Sequence, residues 1–147
     1  MATKIYIGAD HAGFKLKEKL KKWLEKKKIE YEDLGAKILD KNDDYPDYAE
    51  KVAKKVVKEK SLGILICGSA QGICIAANKI KGVRAVVPFS LKEAELSRQH
   101  EMANIICLSG WYFNPIKAQG LAWKFLRTPF SKDERHIRRI NKIKALE

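Results

Sequence analysis

The stretch "CGSAQG", Cys67 to Gly72, follows the apolar run "LGILI" and precedes an apolar helical pattern, so a thiol ends a strand just before a small-residue loop. Amides at a helix start lower a thiol pKa from about 8.5, and a thiolate there can serve as base or nucleophile. A buried core cysteine at a strand end fits the same placement. Gly68, Ser69, Ala70, Gln71 and Gly72 would let a ligand approach backbone N–H groups, as a phosphate or oxyanion site requires, yet the loop matches neither GxGxxG nor GxxxxGK[ST]. Asp10 and His11 set an acid beside an imidazole after another short apolar run, suited to sugar oxygens or to capping a helix. His100 falls late in a helical pattern, where the helix dipole favours its charged form; a surface histidine fits there as well. Arg135 and Arg139 stand one helical turn apart, which suits a phosphate or a solvated basic face. Cys74 and Cys107 read as core residues.

Positioning these groups requires a repeated strand-helix unit. "KIYIGAD", "IEYEDLGA", "SLGILIC", "GVRAVVP" and "ANIICLSG" are strand-length runs, each followed by a helical pattern. Pro46 suits a first helical turn, after which Ala49, Val52, Ala53, Val56 and Val57 line one face. Five strands alternating with helices predict an α/β, Rossmann-like three-layer sandwich around a parallel sheet. Ligands in such sheets bind outside the carboxyl ends of the strands, so Gly8, Asp10, His11, Gly13, the Cys67–Gly72 loop, His100 and Asn104 are expected along one edge. The last segment, "SKDERHIRRINKIKALE", predicts a helix with Ser131 as N-cap and no strand to cover; it packs on its own domain or on a partner subunit.

The bulk properties bound the possibilities. With 147 residues, 46% hydrophobic and 33% charged, residues 1–147 suit one domain with one sizeable core. No run approaches a membrane span and "MATKIYIGADHAG" lacks a signal layout, so a cytoplasmic location is expected. Three cysteines without metal-ligand spacing argue for free thiols and against structural zinc. The net charge of +12 invites a nucleic-acid partner, but eight lysines lie in residues 15–28, where Leu16, Leu20, Trp23 and Leu24 mark the apolar face of a solvated amphipathic helix. Nucleic acid and membrane are therefore not expected partners.

Taken together, "IGADHAGFKLKE", "DYPDYAEKVA", "GILICGSAQGICIAANKIKGVRA", "SRQHEMANIICL" and "RHIRRINKI" resemble the ribose-5-phosphate isomerase B and galactose-6-phosphate isomerase subunit family across almost the whole chain. The resemblance implies a homodimer, in some cases a dimer of dimers, with active sites shared between subunits and with no metal or cofactor. It implies aldose-ketose isomerisation of ribose 5-phosphate and ribulose 5-phosphate, with Cys67 as the base between C1 and C2, Ser69 assisting and His100 in ring opening. Asp10, His11 and Tyr45 would contact substrate, the amides of Gly68 to Gly72 would face the enediolate, and Arg135 and Arg139 would bind phosphate from the partner subunit.

Four positions depart from the family pattern. Ala70 and Gln71 replace a glycine and an apolar residue of CGTGIG, and Ala70 is harmless only without positive φ. Glu101 replaces an asparagine expected to contact substrate, and Trp111 replaces an arginine. One cation fewer and one anion more weaken phosphate binding unless a lysine compensates. A six-carbon substrate such as allose 6-phosphate, or a non-catalytic sugar-phosphate-binding module, remains the alternative.

Overall fold

A computed structural model of the chain describes residues 4–147. Five strands, β1 (Ile5–Ala9), β2 (Tyr31–Asp33), β3 (Gly63–Cys67), β4 (Ala85–Val86) and β5 (Ile105–Ser109), form one parallel sheet in the order β2-β1-β3-β5-β4. The central strands β1, β3 and β5 are buried along their whole length, which is why they read as continuous apolar runs. Helices α1 (Phe14–Lys26), α4 (Leu91–Gln99) and α5 (Pro115–Arg127) contribute to the core on one face. Helices α2 (Tyr45–Glu59) and α3 (Gln71–Asn78) build the other. The three-layer sandwich expected from the alternation is therefore present. Successive connections leave β1 in opposite directions, toward β2 and toward β3, so the switch point, where sheets of this kind place a ligand crevice, lies between β1 and β3 at their carboxyl ends.

The expected α1 pattern holds with one exception. Leu16, Leu20 and Leu24 are buried and most of the lysines are exposed, but Lys17 is among the largest fully buried side chains of the described residues. Its ammonium donates to Asp33 Oδ2 (2.7 Å) and to the Ala36 carbonyl (2.6 Å), and Lys21 reaches the same carboxylate at 2.8 Å. The segment so held brackets the end of β1, since Ala9 N–H donates to Gly35 O and Ala36 N–H to Ala9 O, both at 2.8 Å. Burial pulls the Asp33 pKa up, but the two lysines and the Gly35 amide outweigh it and leave the carboxyl below its ordinary value. Lys17→Met is expected to cost about 2–3 kcal/mol, because it strips a donor from a buried carboxylate and a buried carbonyl. Denaturant unfolding would measure this. Because the folded pKa of Asp33 is the lower one, its stabilising contribution is present above the unfolded value of about 3.9 and is lost as pH falls through the folded value.

The terminal helix α6 (Glu134–Lys144) is capped by Asp133, whose carboxylate accepts from Arg135 N–H at 3.1 Å. Ser131, expected as the N-cap, lies outside the helix; its hydroxyl sits 2.7 Å from His136 Nδ1 instead. A carboxylate two residues nearer the helix captured the first-turn amides and shifted the start.

Candidate active site

The sequence-nominated residues separate into two clusters on opposite edges of the sheet. Asp10, His11, Tyr45, Cys67 to Gly72 and Trp111 gather where β1, β3 and β5 end. His100 is the C-cap of α4, and Asn104 immediately precedes β5, its carbonyl accepting from Gly63 N–H at the start of β3 (2.9 Å). Cys67, at the far end of that five-residue strand, is therefore about 16 Å away along the sheet. The expectation that His100 and Asn104 join the carboxyl-end loops is corrected by topology. A helix that returns antiparallel to the strands delivers its last residues to the amino edge.

At the carboxyl edge, α1 begins close against β3. A Cβ added at Gly13 would lie 2.5 Å from the Ile66 carbonyl oxygen, so only glycine permits this approach. Asp10 is buried and accepts from Gly13 N–H at 3.1 Å, and burial raises its pKa, with the Gly13 amide and His11 opposing. Asp10 thus holds the helix start and also faces Cys67 closely enough to raise the thiol pKa. His11 is only partly exposed. Its N–H donates to Asp43 Oδ1 at 3.0 Å, and its Nδ1 lies 2.7 Å from the same oxygen.

Cys67 is buried and its thiol faces the amides of Ser69, Ala70 and Ile73. Burial is the stronger influence and pushes the thiol above its ordinary value, while those amides pull it down. The amides are present, but the apolar strand end that supplies them also removes water.

Ala70 adopts φ +70°, ψ −11° at the N-cap of α3. The backbone does take the left-handed conformation that its alanine disfavours. Ala70→Gly is expected to stabilise the protein by about 1 kcal/mol, a rise of about 3 °C in thermal midpoint. Ser69 Oγ accepts from Gln71 N–H at 3.4 Å, a local bond within the loop, and Gln71 is exposed. Two aromatic rings wall the loop. A Cβ at Gly68 would meet Trp111 Cε2 at 2.5 Å, and one at Gly72 would meet Tyr45 Cζ at 2.5 Å. Trp111 N–H donates to Gly68 O at 3.0 Å and Ser109 Oγ donates to the same carbonyl at 2.6 Å, tying the β5 end to the Cys67 loop.

The amino-edge cluster is basic. The His100 ring stacks on His136 with centroids 4.2 Å apart, and Ser131 N–H donates to Gln99 O at 3.0 Å, docking α6 against the end of α4. His136 and Ile140, four residues apart, are buried, which leaves Arg135 and Arg139 exposed together as their spacing predicted. Burial and the adjacent His100 push the His136 pKa down. Glu101 is exposed, with its carboxylate 3.5 Å from Arg84 and its carbonyl accepting from Arg84 Nε at 2.6 Å. That pairing offsets the extra negative charge that Glu101 introduces.

The sequence reading missed Asp43 and His136. Asp43 had a local signal, the acidic run before Tyr45. His136 had none beyond its helical register with Ile140. Cys74 and Cys107 are buried free thiols, as expected of core residues. Among the described residues, no helix is long and apolar enough to cross a membrane.

Residues 5–143 match a family model described as Ribose/Galactose Isomerase. The chain is 46% identical over 145 residues to a Mycoplasma genitalium protein named probable ribose-5-phosphate isomerase B, covering 97% of this chain and 95% of that one. It is 38% identical to ribose-5-phosphate isomerase B of Mycobacterium tuberculosis, covering 98% and 90%. A crystal structure of the M. genitalium enzyme with bound ribulose 5-phosphate superposes with a TM-score of 0.92 at 44% identity, covering 97% of this chain and 95% of that one.

Proposed function

The chain belongs to the ribose/galactose isomerase family, and from that membership we propose that it interconverts ribose 5-phosphate and ribulose 5-phosphate through an enediolate. The observation that carries this reading is the buried Cys67 thiol lying beneath three backbone amides and beside Asp10, in the crevice between β1 and β3.

The reaction divides as follows. Asp10 and His11 bind sugar oxygens and Tyr45 flanks the sugar against Gly72. Once the ring is open, the Cys67 thiolate removes the C2 proton; the C2–H electrons form the C1–C2 double bond and the aldehyde oxygen takes the negative charge. The amides of Gly68 to Gly72 stabilise that oxyanion, with Ser69 assisting as a hydroxyl. A proton passes from O2 to O1, and the thiol returns its proton to C1, so the ketose forms with no net change in the enzyme. The reaction balances with the groups of this chain alone, without metal or cofactor.

Ring opening and phosphate binding fall to His100, Arg135 and Arg139, with Glu101 beside them. These lie on the other edge of the same chain, so the reading requires a homodimer in which one protomer's amino-edge cluster meets its partner's Cys67 crevice. The half-exposed apolar residues of α6, Ile137 and Ile143, support a subunit contact along that helix. The two-site symmetry also allows a dimer of dimers. The exposed Arg135 and Arg139 support work on a small phosphorylated metabolite, and the place of that work is proposed to be the cytoplasm.

The five-carbon substrate is favoured over allose 6-phosphate because relatives that match nearly the whole chain are named ribose-5-phosphate isomerase B, one of them with ribulose 5-phosphate bound. The test is an isomerisation assay of purified protein on five- and six-carbon aldose phosphates. Turnover led by ribose 5-phosphate is the expected result. Turnover led by a six-carbon phosphate would overturn the substrate assignment, and tight binding without turnover would leave only the binding-module reading.

A further inference from the structure

Resting on that functional reading, we propose that Asp43 is a positioning residue that fixes the ring of His11 and presents its Nε2 to the substrate. Asp43 lies in the loop between β2 and α2, and its side chain is 6% exposed. One oxygen, Oδ1, accepts from the His11 N–H at 3.0 Å and lies 2.7 Å from His11 Nδ1. A carboxylate only accepts, so Nδ1 carries the hydrogen and Nε2 is the nitrogen left for a ligand. The two bonds lock both the backbone and the ring of the same residue, which a lone surface contact would not do. Asp43 N–H in turn donates to Asp40 O at 3.2 Å, so the accepting carboxylate sits on a closed turn.

The loop that carries Asp43 continues directly into Tyr45, the ring packed on Gly72. One carboxylate therefore ties the Asp10-His11 side of the crevice to the Tyr45 side. One ligand atom each of Asp10, His11 and Asp43 falls within 4.8 Å of the others, so the imidazole lies beside the Asp10 carboxylate that faces Cys67. The Asp43 carboxylate is also faced by the Tyr48 hydroxyl of α2, and its second oxygen, Oδ2, is buried with no closer hydrogen bond among the described residues. The charged neighbours of His11 are Asp10 on its own loop and Asp40 and Asp43 opposite, with Tyr48 of α2 turned toward Asp43. The hydrogen bond to Asp43 is the largest influence on His11 and raises its pKa, which favours the imidazolium, whose Nε2–H can donate to a sugar oxygen; in the neutral ring Nε2 accepts instead.

The test combines NMR of the His11 ring with kinetics on ribose 5-phosphate. In the unsubstituted protein His11 is expected as the Nδ1–H tautomer, titrating above an ordinary histidine. Asp43→Asn should lower that midpoint and reduce kcat/KM about tenfold to a hundredfold, the loss of one charge-assisted hydrogen bond. In a His11→Gln background the same substitution should change kcat/KM by no more than about twofold, since its effect runs through the missing ring. Asp43→Ser, smaller and neutral, provides a second variant if the asparagine disturbs folding. An unmoved His11 titration, or an equal kinetic loss in both backgrounds, would overturn the proposal. A wild-type protein without turnover would instead sink the isomerase reading and leave the His11 titration readable.

Discussion

Cys67→Ala is expected to lower kcat on ribose 5-phosphate by about a thousandfold, within the range that a positioned general base supplies. Cys67→Ser should be nearly as inactive, because a serine hydroxyl holds its proton far above the working pH. The wild-type pH profile should also identify the group. Burial raises the thiol above its ordinary value, and the base form is the thiolate, so kcat/KM must climb with pH through neutrality and keep climbing past pH 8. If Cys67→Ala retained a rate within tenfold of wild type, the carbon base would lie elsewhere. The same shift has a consequence for stability. A folded pKa above the unfolded one contributes stability below about pH 8.5 that is lost as pH rises toward the folded value, so Cys67→Ala should flatten the alkaline loss of stability.

Mixing two inactive variants should restore activity. In one chain Cys67 and His100 occupy opposite edges of the sheet, so a shared site takes one from each protomer. A Cys67→Ala chain paired with a His100→Ala chain then contains one site with both groups intact and one with neither. With random exchange half the dimers are mixed, each with one of two sites working, and activity should reach about a quarter of wild type. Each variant alone should stay at least a hundredfold down. Recovery no greater than the sum of the separate variants, under conditions where exchange is verified by mass, would show that His100 does not act on its partner's crevice.

Much of the fold was legible in the residues because its signals are local. The apolar runs of β1, β3 and β5 follow from a sheet covered on both faces, and Pro46 stands in the first turn of α2 as its fixed φ allows. The arginine spacing in α6 likewise follows from helix geometry, and those guanidinium groups are exposed together. Strand order is not local. That β5 lies between β3 and β4 depends on which pairing buries the most surface, and no single segment encodes it.

The same division runs through the site. The residue types that can move a proton, bind an oxyanion or hold a phosphate are set by the sequence: Cys67 before a small-residue loop, Asp10 with His11, the paired arginines. The tertiary structure decided their environment and their company. It sent His100 to the amino edge, because a helix between parallel strands must run back before the next strand begins. It raised the Cys67 pKa, because the burial that shapes a strand end outweighs the amides it exposes. It made Lys17 a buried anchor and placed Asp43 on His11, contacts that span 16 and 32 residues and exist only when distant segments pack. Chemical capacity belongs to the side chain and its near neighbours, whereas ionisation, orientation and partnership depend on solvent exclusion and long-range contact, which only the folded chain supplies.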